Sequence, residues 1–338
     1  LDRTDVITTS YVVSSVQKDA NGNVMSTDSL EPTNVDLLNM LSITQTPIDG
    51  SNQTGTISWA FDSGSETFDY LASGETLTLT YTIKATDDDS SNAFDEQTIT
   101  ITIVGTNDVP NITVESGDSD SSIINETNTT LSTNGTLSVI DLDRTDVITT
   151  SYVVSSVQKD ANGNVMSTDA NEPMNSLLKN MLTITTTPID GLNQTGVINW
   201  TFNSNGETFD YLAKGETLTL RYTIKATDDD SSLANDTQDV VITIVGTNDA
   251  PVVSLENIDF EIPFGEVYTK DISLLFSDID TSDKFSYEAV NLPRGLSIDS
   301  NTGIISGRVA ESGNFVITIK GIDSQGAFVT RTYHMLVI

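Results

Sequence analysis

The sequence predicts an all-β protein, a tandem and elongated array of β-sandwich domains, on three observations. Among 49 acidic residues aspartate outnumbers glutamate by 35 to 14, which favours turns between strands over solvated helical faces. Thr, Ser, Val and Ile, the residues of half-buried pleated surfaces, are abundant. Polar and apolar residues also alternate at period two in several short runs bounded by turn residues, the pattern of a sandwich.

Internal repetition sets the organisation. The segment LDRTDVITTSYVVSSVQKDANGNVMSTD opens at Leu1 and recurs from Leu142. The match runs without a gap to GTNDVP (105–110) and GTNDAP (246–251), with about four in five residues identical. A solenoid repeat is only ~20–50 residues long, so copies offset by 141 residues are whole domains. Three domains are expected, at 1–108, 109–249 and 250–338.

Within a copy the elements follow in order. Residues 11–18 and 23–27 flank Asp19-Ala20-Asn21-Gly22, and Asn-Gly signals a hairpin turn. The same four residues, with Asn23, resemble the opening of a calcium loop, but the downstream bidentate glutamate is missing. Residues 35–41 read as a brief helix. Residues 55–61, 76–85 (TLTLTYTIKA) and 97–104 (QTITITIV) alternate as strands, the last leading into the GTND turn. Residues 111–141, with a strand expected at 136–140, have no counterpart before Leu1. The first copy therefore lacks one or two opening strands, either because the sequence begins inside the unit or because another chain supplies them. The final segment is a shorter sandwich, with alternating strands at 315–322 and 328–338.

Composition excludes several function classes. Fifteen basic residues against 49 acidic ones leave a net charge of −34, which repels nucleic acid and anionic membranes. No cysteine is present, which rules out disulfides and thiolate metal sites. The single histidine, His334, excludes a multi-histidine metal centre, and it lies in the last strand without a visible nucleophile partner for a Ser/His/Asp set. No apolar run reaches the ~18 residues of a membrane span, and no stretch of these residues reads as a signal peptide. The chain reads as part of a longer one, and not as an enzyme. Trp59 and Trp200 occupy equivalent positions and are expected as core anchors, ahead of a sugar-stacking role.

The two long units resemble VCBS repeats on residues 136–143 (TLSVIDLD), 68–81 (FDYLASGETLTLTY), 85–89 (ATDDD) and 105–110. The last segment resembles a dystroglycan-type cadherin-like domain on 292–299 (LPRGLSID), 302–307 (TGIISG) and 321–326 (GIDSQG). Together these resemblances imply Ig-like and cadherin-like sandwiches in a giant bacterial surface adhesin of the RTX type. Such a protein is extracellular and exported by a type I system.

Acidic clusters recur in step with the repeat: Asp-x-Asp near the start, an Asp run after the long strand, and Asn-Asp at the end. Carried over from the cadherin layout, junction one would bind Ca2+ through Asn107, Asp108, Asp141, Asp143, Asp228, Asp229 and Asp230. Junction two would use Asn248, Asp249, Asp278, Asp280 and Asp323, with Glu126 from the preceding domain. Asp69 and Asp210 stand where cadherins carry Leu-Asp-Arg-Glu, but the arginine and glutamate are missing, so they are not carried over. Two carboxylates ~4 Å apart repel by about 4 kcal/mol at an effective dielectric near 20, which a cation would relieve. The competing reading is a solvated acidic surface.

The expected function is a calcium-stiffened extender that projects a distal binding domain for adhesion or biofilm formation. Its partners would be calcium, neighbouring repeats and a host or biofilm glycan or protein. Two alternatives are a sugar-, peptide- or protein-binding module in 250–338, and a subunit of a surface fibre or layer.

Overall fold

A computed structural model describes residues 4–230, 232–254 and 260–338; the opening residues of the first repeat, 1–3, lie outside them. Each long unit is built on a pair of long antiparallel strands. In unit one β1 (Val6–Lys18) is followed by α1 (Asn34–Asn39), β2 (Leu41–Ile43), β3 (Ile48–Asp49), β4 (Trp59–Phe61), β5 (Thr76–Asp87) and β6 (Phe94–Val104). β1 pairs with β5 from Ile7 opposite Asp87 to Lys18 opposite Thr76. Along β5, Leu77, Leu79, Tyr81 and Ile83 are buried while the intervening threonines are less so. That is the period-two division expected of a sheet with one face on the core.

Unit two contains β7 (Asn111–Thr113), β8 (Ser121–Asn125), β9 (Ser132–Ile140), β10 (Val147–Lys159), α2 (Asn175–Lys179), β11 (Leu182–Ile184), β12 (Ile189–Asp190), β13 (Thr195–Asn203), β14 (Thr217–Thr227) and β15 (Asn235–Val245). Its two sheets run β12-β10-β14-β15-β8 and β11-β13-β9-β7. Unit one has the corresponding sheets only as β3-β1-β5-β6 and β2-β4. The segment 111–141 thus supplies three strands to unit two, more than the one or two expected, and β9 starts earlier than residue 136.

Unit three holds β16 (Val252–Val253), β17 (Phe260–Ile262), β18 (Val267–Asp271), β19 (Phe276–Ser277), β20 (Ser286–Val290), β21 (Leu296–Ile298), β22 (Ile304–Arg308), β23 (Gly313–Ile322) and β24 (Phe328–Val337). Its main sheets run β17-β24-β23-β20 and β18-β22-β21.

Each unit has its own hydrophobic core, around Leu79, Leu220 and Ile317 respectively. The chain is an elongated series of Ig-like and cadherin-like sandwiches. Its accessible surface of 18064 Å² exceeds the ~13,500 Å² of a compact monomer of this mass. The short helices are held by tyrosine hydroxyls: Tyr81 donates to the Leu37 carbonyl at 2.6 Å and Tyr222 to that of Leu178 at 2.7 Å. α1 starts one residue before its expected position, where Thr33 and Asp36 form a capping box. Among the described residues, no helix is long and apolar enough to cross a membrane.

The expectation of two buried tryptophans holds only for unit two. Trp200 is fully buried and its Nε1–H donates to the Ser119 carbonyl at 2.7 Å. Trp59 is 51% exposed. The cause is the absence of β9: Trp200 lies opposite Gly135, whereas β4 pairs with β2 alone. For the same reason the strand expected at 55–61 shrinks to three residues.

Candidate metal centres

The end of each long unit is shaped by one glycine. Gly105 and Gly246 pass so close to the carbonyls of the FDYLA loop that any Cβ would overlap Leu71 and Ala72, or Leu212 and Ala213. The chain therefore leaves the last strand tight against that loop and delivers Thr-Asn-Asp to the next unit.

The receiving residues repeat from one junction to the other. At junction one Asn107 Nδ2 donates to Asp228 Oδ2 at 3.1 Å, and the Asp108 amide donates to Asp143 Oδ2 at 2.6 Å. At junction two Asn248 Nδ2 donates to Asp323 Oδ2 at 3.0 Å, and the Asp249 amide to Asp280 Oδ2 at 2.9 Å. The Asp-x-Asp turn closes on itself in both places: Asp143 N to Asp141 Oδ1 at 3.0 Å, and Asp280 N to Asp278 Oδ1 at 3.1 Å. Residues between the aspartates tie the units together. Arg144 pairs with Asp28 at 3.0 Å, and Thr281 Oγ1 donates to Asp169, the counterpart of Asp28, at 2.6 Å.

Both oxygens of Asp228 and Asp323 are occupied, but the aspartates of the Asp-x-Asp turns each keep one oxygen buried without a donor. At junction one the orphaned atoms are Asn107 Oδ1, Asp141 Oδ2, Asp143 Oδ1, Asp146 Oδ2 and Asp230 Oδ2. At junction two they are Glu126 Oε2, Asp210 Oδ1, Asn248 Oδ1, Asp249 Oδ2, Asp278 Oδ2, Asp280 Oδ1 and Asp283 Oδ2. Ionised carboxylates and amide oxygens only accept hydrogen bonds, and buried acceptors in native proteins rarely lack a partner. None of the ion pairs among the described residues involves these atoms. An all-oxygen set of this kind suits a hard cation such as calcium.

Among the described residues, carboxylate oxygens converge in four groups: Asp141 with Asp143 and Asp146, Glu126 with Asp210 and Asp249, Asp278 with Asp283 and Asp323, and Asp5 with Asp87 and Asp89. The structure brings together all the residues expected at each junction except Asp229, whose Oδ1 accepts from the Val147 amide at the start of β10 at 2.8 Å. Asp88 does the same for Val6 in unit one. Asp146, Asp283 and Asp210 join the clusters although sequence reasoning left them out. The signal for the first two was present as a longer motif, Asp-x-Asp-x-x-Asp, at 141–146 and again at 278–283. Asp210 was set aside for lacking its neighbours' identities, yet its position is the one that faces the linker. The outlying candidates fall away: Asp19 caps its own turn through Asn21 and Asn23, and His334 lies exposed on β24.

Burial, followed by mutual repulsion, drives these carboxyls towards the protonated form. Asp141 is pushed up to about 6, Asp143 to about 7 and Asp146 to about 8. Asp280 rises to about 7, and Glu126, Asp230, Asp249 and Asp278 rise as well, with burial first in each case. Unfolded, an Asp carboxyl titrates near 3.9. Between the two values the folded state holds more protons than the unfolded one, so stability falls as pH rises. Thermal melts in chelator should accordingly show a melting temperature that drops from about pH 4 to about pH 8. Calcium, which binds the ionised form, should flatten or reverse that slope.

Residues 250–338 match the He_PIG family of Ig domains. No curated protein matches the chain. Among solved structures, the chain is similar to the protocadherin γB4 extracellular domain at 14% identity, over 98% of this chain and 43% of that one, with a TM-score of 0.44. It is similar to mouse cadherin-23 EC22–24 at 16% identity, over 100% of this chain and 88% of that one, with a TM-score of 0.40. A Bacteroides fragilis protein described as an α-galactosidase shares 22% identity over 26% of this chain and 17% of its own, with a TM-score of 0.23. The chain thus spans under half the length of the first two matched structures, the galactosidase and protocadherin γB4. These likenesses concern the fold alone.

Proposed function

We propose that the chain is a calcium-stiffened extender segment of a large bacterial surface adhesin, holding a distal binding domain away from the cell. On this reading it is extracellular, has no catalytic role, and divides at 1–108, 109–249 and 250–338. The long units are VCBS repeats and the third a dystroglycan-type cadherin-like domain, exported by the type I route of RTX adhesins. The observation that carries the proposal is the repetition, at one junction between like units and one between unlike units, of one arrangement of inward-facing oxygens without donors.

Calcium at junction one would be held by Asn107, Asp108, Asp141, Asp143, Asp146, Asp228 and Asp230. Junction two offers Asn248, Asp249, Asp278, Asp280, Asp283 and Asp323 on one side, and Glu126 with Asp210 on the other. The cation would supply positive charge that offsets desolvation and repulsion among these carboxylates. The protein's own part is positional. The linker amides of Asp108 and Asp249 orient Asp143 and Asp280, while Asn107 and Asn248 orient Asp228 and Asp323. Ligands drawn from the linker and the following unit, and at junction two from the preceding unit as well, make the angle between units dependent on the ion. Extracellular modules of this kind bind at ~0.1–1 mM, so occupancy would follow external calcium.

Substituting Asp146→Asn or Asp283→Asn tests the assignment, the former with opposite signs in two conditions. In chelator, at a pH above about 8 where Asp146 is ionised, the Asp146→Asn variant should melt higher than the parent, because a buried like charge is removed. In calcium both variants should melt lower, with affinity weakened at least about tenfold, roughly 1.4 kcal/mol. Isothermal titration calorimetry and melting measure both. Unchanged calcium binding in both variants would remove these residues from the site.

A further inference from the structure

A second set of contacts crosses each junction beside the acidic clusters, and the two junctions differ in it. Each long unit carries the same four polar residues near the glycine that ends it: Gln17, Asp28, Tyr70 and Glu75 in unit one, Gln158, Asp169, Tyr211 and Glu216 in unit two. The Glu75 and Glu216 carbonyls accept from the Gly105 and Gly246 amides at 2.9 Å. Facing them are the two residues inside the Asp-x-Asp-x-x-Asp motif of the following unit, Arg144-Thr145 at junction one and Thr281-Ser282 at junction two.

At junction one this pair is held at every donor it offers to unit one. Arg144 Nε pairs with Asp28 at 3.0 Å, its Nη1 donates to Ser29 Oγ at 3.1 Å, and its amide donates to the Tyr70 carbonyl at 3.3 Å. Thr145 Oγ1 donates to Glu75 Oε1 at 2.8 Å, and Gln17 Nε2 donates to the other oxygen at 3.5 Å. The Asp28 side chain is only 8% exposed and Glu75 is buried, so these bonds act away from water, where charge-assisted bonds are strong. Junction two has the same receiving residues and less to fill them. Thr281 has one hydroxyl proton for two acceptors, Asp169 Oδ2 at 2.6 Å and the Tyr211 carbonyl at 3.4 Å. Among the described residues no hydrogen bond joins Ser282 to Glu216, and both side-chain amide atoms of Gln158 are buried without a partner.

We infer that Arg144 and Thr145 form a cation-independent latch between the two like units, and that junction two, which lacks it, is where the chain bends in the absence of divalent cations. The guanidinium is always charged and binds two side chains of unit one in a fixed orientation, so it opposes the repulsion among the neighbouring carboxylates without any ion. The long units then behave as one rod on which unit three swings, and any effect of calcium on shape falls mainly on junction two. The inference uses none of the proposed calcium ligands except as neighbours, and its test is made in chelator.

The chain contains no cysteine, so Ser14→Cys, Ser155→Cys and Thr330→Cys, all at exposed positions, accept spin labels cleanly. Labels at 14 and 155 span junction one, and labels at 155 and 330 span junction two. Double electron–electron resonance on the full chain in chelator should give a narrow distance distribution across junction one and a broad one across junction two. Arg144→Thr should broaden junction one, with the undocked population raised at least about tenfold by the loss of a hydrogen bond to a charged group. Thr281→Arg combined with Ser282→Thr should narrow junction two, because the receiving residues are already in place there; a local folding defect could not produce that gain. Equal widths at the two junctions of the parent chain would overturn the inference. So would an Arg144→Thr chain whose junction one is unchanged, or a Thr281→Arg/Ser282→Thr chain whose junction two stays as broad as in the parent.

Discussion

In excess calcium the chain should melt at a higher temperature than after chelation, and its maximum dimension in small-angle scattering should become fixed at an extended value. One site at tenfold saturation contributes ~1.4 kcal/mol, enough to move the melting of a domain of this size by roughly 5 °C. Each junction gathers more carboxylates than one ion needs, so the summed shift should be larger. The stiffening follows from where the oxygens originate. At junction two Glu126 and Asp210 belong to unit two, Asp249 to the linker, and Asp278 and Asp283 to unit three. Remove the cation, and the carboxylates drawn from three segments repel one another. They can relax by taking up protons or by parting, and parting moves the units. Melting and scattering that ignore calcium would reduce these clusters to buried, partly protonated carboxyls and would defeat the extender proposal.

Trp200→Ala should destabilise unit two by about 3–5 kcal/mol, the usual cost of emptying a large aromatic site, whereas Trp59→Ala should cost unit one less than about 1 kcal/mol. The two residues sit at the same position of near-identical sequences, so residue chemistry cannot account for the difference. Trp200 loses a filled site between β9 and β11 and its hydrogen bond to Ser119. Trp59 loses only one covered side. Separate domains are not expected to unfold as one transition, so each variant is read from the transition of its own unit in a denaturant series. Equal costs would mean that unit one is closed in solution.

Much of this fold was legible in the residues. The Thr-Leu alternation of 76–83 recurs as β5, with leucines buried and threonines towards solvent. The Asn-Gly at 21–22 makes the turn between β1 and Val24, where Asp19 caps the loop. Side-chain period and turn chemistry are local properties, so a sequence displays them directly. The burial of Trp59 was not legible, because it depends on a strand more than fifty residues away in the template unit. Asp210 and Asp283 were missed for a related reason. Their relevance depends on a linker that passes over the FDYLA loop and on a third aspartate that turns inward beside the first two.

By itself the sequence determined the all-β class, the repeat with its shared strand pattern, and the coincidence of acidic motifs with domain ends. Those are matters of composition and short-range order. Only the tertiary structure decided which oxygens have donors, which carboxylates converge across a junction, and which of two identical tryptophans is covered. Each of these depends on distances between residues far apart in the chain, and Gly105, Gly246 and the strands of 111–141 set those distances. Equivalent side chains are covered in unit two and less so in unit one, because burial belongs to the neighbours a side chain acquires on folding and not to the side chain alone.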